Sequence, residues 1–457
     1  MYAMQMSVAF VHPDAFESTD RGANDLLKLV QEFRMREPYP KKFSSEVIPV
    51  ATLADEEILG ISDERVTDFW GRTKVRYFRS DGRIFGLADE ALSRLTELAS
   101  KIQSTASARN ALSHVYVADQ LFSWISGRYL GRCSEPSFAR FLTLAAADDV
   151  KLRTIWVPIA KLEVEESFTV GLSTICPISS NRIDEWRIHV QATAQPEALE
   201  HVDSMIQSVR QRFQGMAASM TTVFAESTRA EELAIERAVV ATNYLGAFSI
   251  GSLVPNARCA SRVLGQEHVD STTTLSLATN ECLIVRQSTI DLIAARPWRL
   301  CAEEILEIRN AGLDVISRLL LLEKPSRFQQ SILSFVRLYS KAAYTSDSLE
   351  KIVFVLSALE SLLLKSSNEP IQQNLSERVA VFVEETLDTR KSAIRHIRRA
   401  YDMRSRYLHH GNQEDDAPVV KAFLEIAWKF FIYLLANADR FEHAHAMIDA
   451  IDDHKLS

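Results

Sequence analysis

Residues 347–365 read DSLEKIVFVLSALESLLLK, and this stretch decides the fold class of the last third of the chain. Asp347, followed three residues later by Glu350, has the shape of a capping box, so we expect a helix to begin there. Apolar residues then recur at three- and four-residue steps, which is typical of a helix with one face in a core. Glu360 flanks that face, where a carboxylate is costly without a partner.

The helical pattern continues on both sides of this stretch. No strand signal remains after Ala302, and Asn368 with Pro370 marks a further helix start. We predict helices at 303–322, 327–344, 349–365, 371–386, 390–410 and 418–439. Their short connections favour antiparallel packing of neighbours in a bundle.

The preceding two thirds of the chain read as mixed α+β. Runs of β-branched and aromatic residues predict strands, and periodic apolar stretches predict helices. The strand candidates are 74–78, 83–87, 154–157, 168–170, 272–277 and 282–286, and the helix candidates are 88–130, 138–146, 196–226 and 229–250.

These patterns predict a mainly α protein in three parts. An α+β region of unknown role occupies residues 1–150, a mixed strand and helix region occupies 151–300, and a helical domain occupies 301–457. The first two parts are also compatible with a single unit.

Composition limits the classes of function. The 457 residues carry a formal net charge of −8, which argues against coating nucleic acid with the whole surface, so any RNA contact must be local. The five cysteines are odd in number and contain no C-x-x-C pair, which signals neither a disulfide framework nor a zinc knuckle. No signal-peptide or membrane-spanning pattern is present. We expect a cytoplasmic protein that needs no cofactor or metal and does not bind membranes.

The fifth predicted helix ends in YDMRSRYLHHG, residues 401–411. Four residues separate Arg404 from His409, and Gly411 stands where a glycine would end the helix. A guanidinium offers a donor fork to phosphate oxygens, and an imidazole exchanges protons near neutral pH. Such a pair suits cleavage of RNA by its own 2′-hydroxyl, a step that needs proton transfer and a cation for the developing charge.

This arrangement resembles the HEPN superfamily, whose mark is Arg, four to six residues, then His, and in particular its Apea-like members. The stretches ALESLL at 358–363 and LSER at 375–378 agree with the resemblance, which covers residues 326–440. Its specificity lies in this context: the helix end, the preceding Tyr401 and the order of the helices.

The resemblance implies a metal-independent endoribonuclease that acts as a dimer, with two Arg-x4-His elements meeting across the interface. Its products would end in a 2′,3′-cyclic phosphate and a 5′-hydroxyl. In that picture His409 handles protons and Arg404 stabilises the phosphorane-like charge. Residues five apart on a regular helix point about 140° from each other. The two side chains therefore share a cleft only if the helix loosens near Gly411 or a partner subunit completes the site.

The surroundings of the motif complete the candidate site. We expect Glu360 to orient Arg404 through an ion pair and count it with the catalytic residues. Seven basic residues lie between positions 390 and 406 against Asp402 alone, which predicts a local surface for an RNA backbone. The candidate RNA-binding residues are Arg398, Arg399, Arg406 and His410. Because His409 and His410 are adjacent, the choice of catalytic imidazole stays open, although the shorter spacing favours His409.

Blander interpretations stay open beside this one. Arg404 and His409 are also compatible with a surface arginine and a helix-capping histidine, Glu360 with a structural carboxylate, and the basic run with a solvated helix face. His443 and His445 are more typical of an exposed tail than of a metal site. No P-loop, dinucleotide-binding, zincin or α/β-hydrolase motif is present.

Two functions follow as hypotheses. The first is an endoribonuclease acting on RNA such as tRNA or mRNA, with the toxin-like or anti-phage role that the resemblance implies. Its N-terminal region would sense a phage-derived or cellular trigger. The second is a catalytically inactive HEPN module for dimerisation or ligand binding.

Overall fold

The chain is mainly helical, with strands in its first two thirds. The computed structural model describes residues 10–33, 65–67, 73–193, 196–266, 271–276, 284–289, 296–366, 369–410 and 416–456. The chain divides into two compact units, Met1–Thr154 with Thr222–Leu233 and Ile155–Thr221 with Ala234–Ser457. The three-part division at residues 150 and 300 stays a prediction.

The first unit combines helices with an antiparallel sheet. Its elements are α1 Phe16–Leu27, β1 Gln31–Phe33, β2 Arg65–Thr67, β3 Thr73–Ser80, β4 Arg83–Ala88, α2 Asp89–Gln103, α3 His114–Tyr129 and α4 Phe138–Asp149. The strand order is β1-β4-β3-β2, and β3 and β4, which contain the strand candidates 74–78 and 83–87, pair as an antiparallel hairpin. Asp81 and Gly82 make its turn with φ of 51° and 75°. Such turns favour Asp-Gly because both positions need a positive φ.

The middle of the chain supplies further strands and three long helices. These are β5 Lys151–Ala160, β6 Leu162–Val164, β7 Phe168–Val170, β8 Ser173–Pro177, α5 Ser180–Thr193, α6 Pro196–Phe213, β9 Ala217–Ala225, α7 Ser227–Gly246, β10 Arg262–Val263, β11 Ser271–Ser276, β12 Ile284–Thr289 and β13 Trp298–Leu300. Five strands form one sheet in the order β10-β5-β9-β8-β7, β11 pairs with β12, and β13 pairs in parallel with β6.

The C-terminal region of the second unit is helical and bundle-like. Its elements are α8 Ala302–Ile308, a π-helical segment Arg309–Leu313, α9 Asp314–Leu321, α10 Arg327–Ala342, α11 Ser348–Leu363, α12 Ile371–Val383, α13 Leu387–His410, α14 Ala417–Ala436 and α15 Ala444–Leu456. Aromatic rings fill its core, where Tyr339 and Phe431 stack with centroids 5.1 Å apart. Asp347 caps α11 by accepting hydrogen bonds from the amides of Leu349 and Glu350.

Several sequence predictions are wrong in detail. The helix expected at 196–226 ends at Phe213, because residues 217–225 form the strand β9 with an alternating burial pattern. The helix expected at 303–322 is interrupted by the π-helical segment, in which Gly312 has φ 126°. Helices α5 and α15 were not expected. Residues 277, 282–283 and 368, which the predictions also used, lie outside the described residues.

No helix in the described ranges is long and apolar enough to cross a membrane. The cysteines that the structure describes, Cys133, Cys176, Cys259 and Cys301, are all free thiols.

Candidate functional site

Helix α13 holds the predicted motif and packs against α11, α12 and α14. Its inner face consists of Ala393, Ile397, Ala400 and Met403, each at most 2% exposed. Their three- and four-residue spacing keeps them on one side of the helix, where they join the bundle core. Residues on the remaining sides of α13 are therefore available for polar contacts.

Arg404, four residues after Ala400, continues that inner face toward the C-terminal end of α13 and contacts Glu360 on α11. Its Nη1 donates to Glu360 Oε1 at 2.5 Å, and the two side chains are only 23% and 20% exposed. The sequence predicts this ion pair, because a carboxylate beside a core is energetically costly without a partner, and the structure contains it. A charged hydrogen bond of this kind contributes about 1.5–3 kcal/mol, because both partners are largely removed from water.

Tyr401 completes a three-residue cluster with this pair. Its hydroxyl donates to the same oxygen, Glu360 Oε1, at 2.6 Å, and the Arg404 guanidinium carbon lies 5.8 Å from the centre of its ring. Burial first, and the neighbouring carboxylate second, raise the pKa of Tyr401 well above its usual value. The hydroxyl therefore stays protonated as a donor. Sequence reasoning used Tyr401 only as context, although its spacing of three from Arg404 places both on one helix face.

A second, solvent-facing side of α13 contains most of the basic residues. We call Arg395, Arg399, Arg406 and His409, with Asp402 among them, the basic stripe. These positions follow steps of four and three, so they lie within one row along the helix. All are exposed except Arg406, which is half-buried and donates from Nε to the Asp402 carbonyl at 3.4 Å.

The other predicted RNA-binding residues are placed as follows. Arg398 is exposed beside the basic stripe, and its Nη2 lies 4.0 Å from Glu377 Oε1. Arg399 is an exposed member of the stripe. His410 is the last residue of α13, but its side chain lies outside the described residues, as does Gly411.

The structure does not bring Arg404 and His409 together on one helix face. Helix α13 runs without a break to His410, so the two side chains leave the axis about 140° apart and about 7.5 Å apart along it. Arg404 is directed to Glu360, whereas His409 belongs to the exposed stripe. The loosening of the helix that would let one chain assemble the pair does not occur up to His410. A second copy of the chain is the remaining way to join them.

Arg378, in the LSER stretch that agrees with the resemblance, is a buried residue that holds helices together. It is 3% exposed and pairs with Glu369 at 2.8 Å and Asp452 at 3.0 Å, while its Nη1 donates to the Leu363 carbonyl at 2.6 Å. These contacts tie α12 to α11 and α15. Although partial burial opposes it, hydrogen bonds from Arg378 and Lys365 lower the pKa of Asp452 to about 2.

Within the part of the chain that the structure describes, no three His, Cys, Asp or Glu side chains cluster so as to hold a metal ion. Comparison of the sequence with protein-family models and with curated proteins, and of the structure with solved structures, found no match.

Proposed function

We propose that the helical region is a metal-independent endoribonuclease of the HEPN type that acts as a homodimer. The attacking 2′-hydroxyl belongs to the RNA, and the products end in a 2′,3′-cyclic phosphate and a 5′-hydroxyl. His409 moves protons, Arg404 stabilises charge on the phosphorus, and the basic stripe with Arg398 holds the RNA backbone. Arg404 held by Glu360 and Tyr401, with a basic stripe on another side of the same helix, is the observation that carries this proposal.

Glu360 acts as a positioning residue. A guanidinium has five N–H donors, and Glu360 engages Nη1. The group can hold its carboxylate and still present another edge to a phosphate. Tyr401 restrains the same carboxylate oxygen, so Arg404 has one preferred orientation before RNA arrives. Donors fixed in advance cost less reorganisation when charge develops in the transition state.

The basic stripe supports RNA as the substrate class. The protein carries a net charge of −8, yet residues 390–406 contain seven basic residues and one acidic residue. A local row of guanidinium groups is suited to a phosphodiester chain, which binds by neutralisation and counterion release. The toxin-like or anti-phage role, and a trigger sensed by the N-terminal region, remain implications of the family resemblance.

The second candidate is a catalytically inactive HEPN module that dimerises or binds a ligand. The observation in its favour is the separation of Arg404 from His409 around α13, because one chain alone does not assemble the pair. In this module the ion pair with Glu360 would serve packing only.

The test is RNA cleavage by the purified full chain in excess EDTA, with tRNA and total RNA as substrates. We expect fragments with 2′,3′-cyclic phosphate ends, and a loss of at least about 100-fold in rate for Arg404→Ala and for His409→Ala. His410→Ala decides which imidazole acts. Matched controls are Arg327→Ala and His445→Ala, which remove an exposed arginine and an exposed histidine elsewhere.

The outcomes separate the two candidates. Cleavage that persists in both site variants would mean a contaminant or another site and would refute the assignment. Absence of cleavage by a protein that sizes as a stable dimer would favour the inactive module.

A further inference from the structure

A pocket of about 490 Å³ lies in the second unit, formed by residues other than those of the Arg404 cluster. Its walls come from residues 249–250, 258–260 and 296–299, three segments that are remote in sequence. This volume falls in the range of pockets that take a small organic ligand.

The charged side chains among the described lining residues are all arginines. Arg258, Arg296 and Arg299 line the pocket, and no carboxylate is among its described lining residues. Arg299 Nε lies 2.7 Å from Glu163 Oε2 outside the lining, but Arg299 is 75% exposed, so that pair is weak. Arg258 is half-buried and Arg296 is exposed at the rim. Guanidinium groups that line one space favour an anion with several oxygens, such as a phosphate.

An aromatic and apolar wall stands beside these cations. The Trp298 ring is half-buried and packs against the core of the second unit. Ile250, 55% exposed, and Pro297 extend the apolar surface. The Trp298 amide donates to the Lys161 carbonyl at 2.9 Å, and β13 pairs with β6, which holds the backbone that carries the indole. An indole that lines a pocket favours a planar ring, because stacking contributes about 1–3 kcal/mol for a nucleobase.

The floor of the pocket is held in place before any ligand binds. The Cys259 amide donates to the Ala343 carbonyl at 2.6 Å, at the end of α10. Lys351 of α11 is fully buried, and its Nζ donates to the carbonyls of Gly251 and Ala257, which directly follow the wall segment 249–250 and directly precede the wall segment 258–260. A preformed pocket binds with a smaller entropic cost than one that must be ordered by its ligand.

We propose that this pocket binds a phosphorylated nucleoside, with its base against Trp298 and its phosphate on Arg296 and Arg258. The ligand needs both a planar ring and a polyanionic group, because the pocket presents an indole wall and guanidinium groups together. The site uses none of the residues assigned to RNA cleavage and does not depend on that assignment.

Calorimetric titration of the full chain tests this with four probes: ATP, AMP, adenosine and inorganic pyrophosphate. We expect saturable binding of ATP and AMP, and affinities at least about tenfold weaker for adenosine and for pyrophosphate. Failure of both ATP and AMP to saturate up to millimolar concentration overturns the proposal. If pyrophosphate bound as tightly as ATP, the ring would contribute nothing to binding and the proposal would be refuted. If adenosine bound as tightly as AMP, the phosphate would contribute nothing, with the same consequence.

Two variants and a control locate the site. Arg296→Gln should weaken ATP binding about tenfold and leave adenosine binding unchanged, since it removes one charged hydrogen-bond donor. Trp298→Leu should weaken the binding of both. Arg327→Gln, an exposed arginine at the start of α10, should change neither. Because Arg296 is exposed, its variant is expected to fold, and an Arg296→Gln affinity equal to that of the control refutes the site.

Discussion

The side chains of Arg404 and His409 leave the axis of helix α13 about 140° apart, and this separation leads to a specific prediction about subunits. If each active site takes Arg404 from one chain and His409 from its partner, a two-fold dimer has two such sites. We therefore predict that a heterodimer of Arg404→Ala and His409→Ala chains regains activity that neither homodimer has. In that heterodimer one site keeps both wild-type groups and the other site has lost both.

The expected magnitude follows from counting sites. The heterodimer should cleave at about half the wild-type rate, since one of its two sites is intact. The matched control joins a wild-type chain to an Arg404→Ala/His409→Ala double variant. In that pair each site lacks one group, so the control should be as inactive as the single-variant homodimers.

The assay uses chains with two different affinity tags, co-expressed and purified over both, with cleavage followed in EDTA. A site built within one chain would reverse the result: the control would show about half activity and the mixed single variants would show none. That reversal, or an active protein that sizes as a monomer, would refute the reasoning.

Three further predictions concern stability. Glu360→Gln leaves the largely buried Arg404 without its counter-charge, so we expect it to lower the free energy of unfolding by about 1–3 kcal/mol, as measured in urea. An unchanged free energy of unfolding would show that the ion pair is unimportant to the fold. Burial lowers the pKa of Lys351 to about 8 from 10.5. Between these values the folded chain binds fewer protons than the unfolded chain, so the free energy of unfolding of the wild type should rise by about 3 kcal/mol relative to that of Lys351→Met as pH increases across them. A difference in urea unfolding that stays constant with pH would contradict this. Gly312→Ala should lower the free energy of unfolding by about 2–5 kcal/mol, because φ at this position is 126° and a Cβ would collide with Leu435. An unchanged melting temperature would contradict this prediction.

Helix positions in the C-terminal region could be predicted because local signals there agree with packing. Asp347 caps α11 as its sequence position indicates, and the apolar period of α13 matches its buried face. The helix break at Gly312 was not predicted, because the apolar period continues through this position. The reason for a glycine there is its close approach to Leu435 of α14, which the sequence does not reveal. Strand β9 escaped because its first residues, Ala217, Ala218 and Ser219, are small and all buried, so no alternation is visible there.

The contacts of the candidate site were likewise predictable from the sequence only in part. The pairing of Glu360 with Arg404 followed from electrostatics alone, because a carboxylate beside a core needs a cation and α13 supplied one. The bond from Tyr401 to the same oxygen depends on how α11 and α13 pack, which spacing does not specify. The pocket beside Trp298 had no sequence signal, since its walls come from segments that are remote in sequence and are joined by the strand pairing of β13 and by hydrogen bonds of Lys351, Cys259 and Trp298.

In the proposed nuclease, the ion pair with Glu360 would have opposing consequences for catalysis. It reduces the net positive charge that Arg404 offers to a phosphate, but it also fixes the guanidinium, so little reorganisation remains when charge develops. The basic stripe offsets the first effect, because its arginines raise the local potential on the same helix without needing to touch the scissile bond. Binding and charge stabilisation are thereby divided between two faces of α13. Such a division is useful to a nuclease only when a second chain brings the faces together.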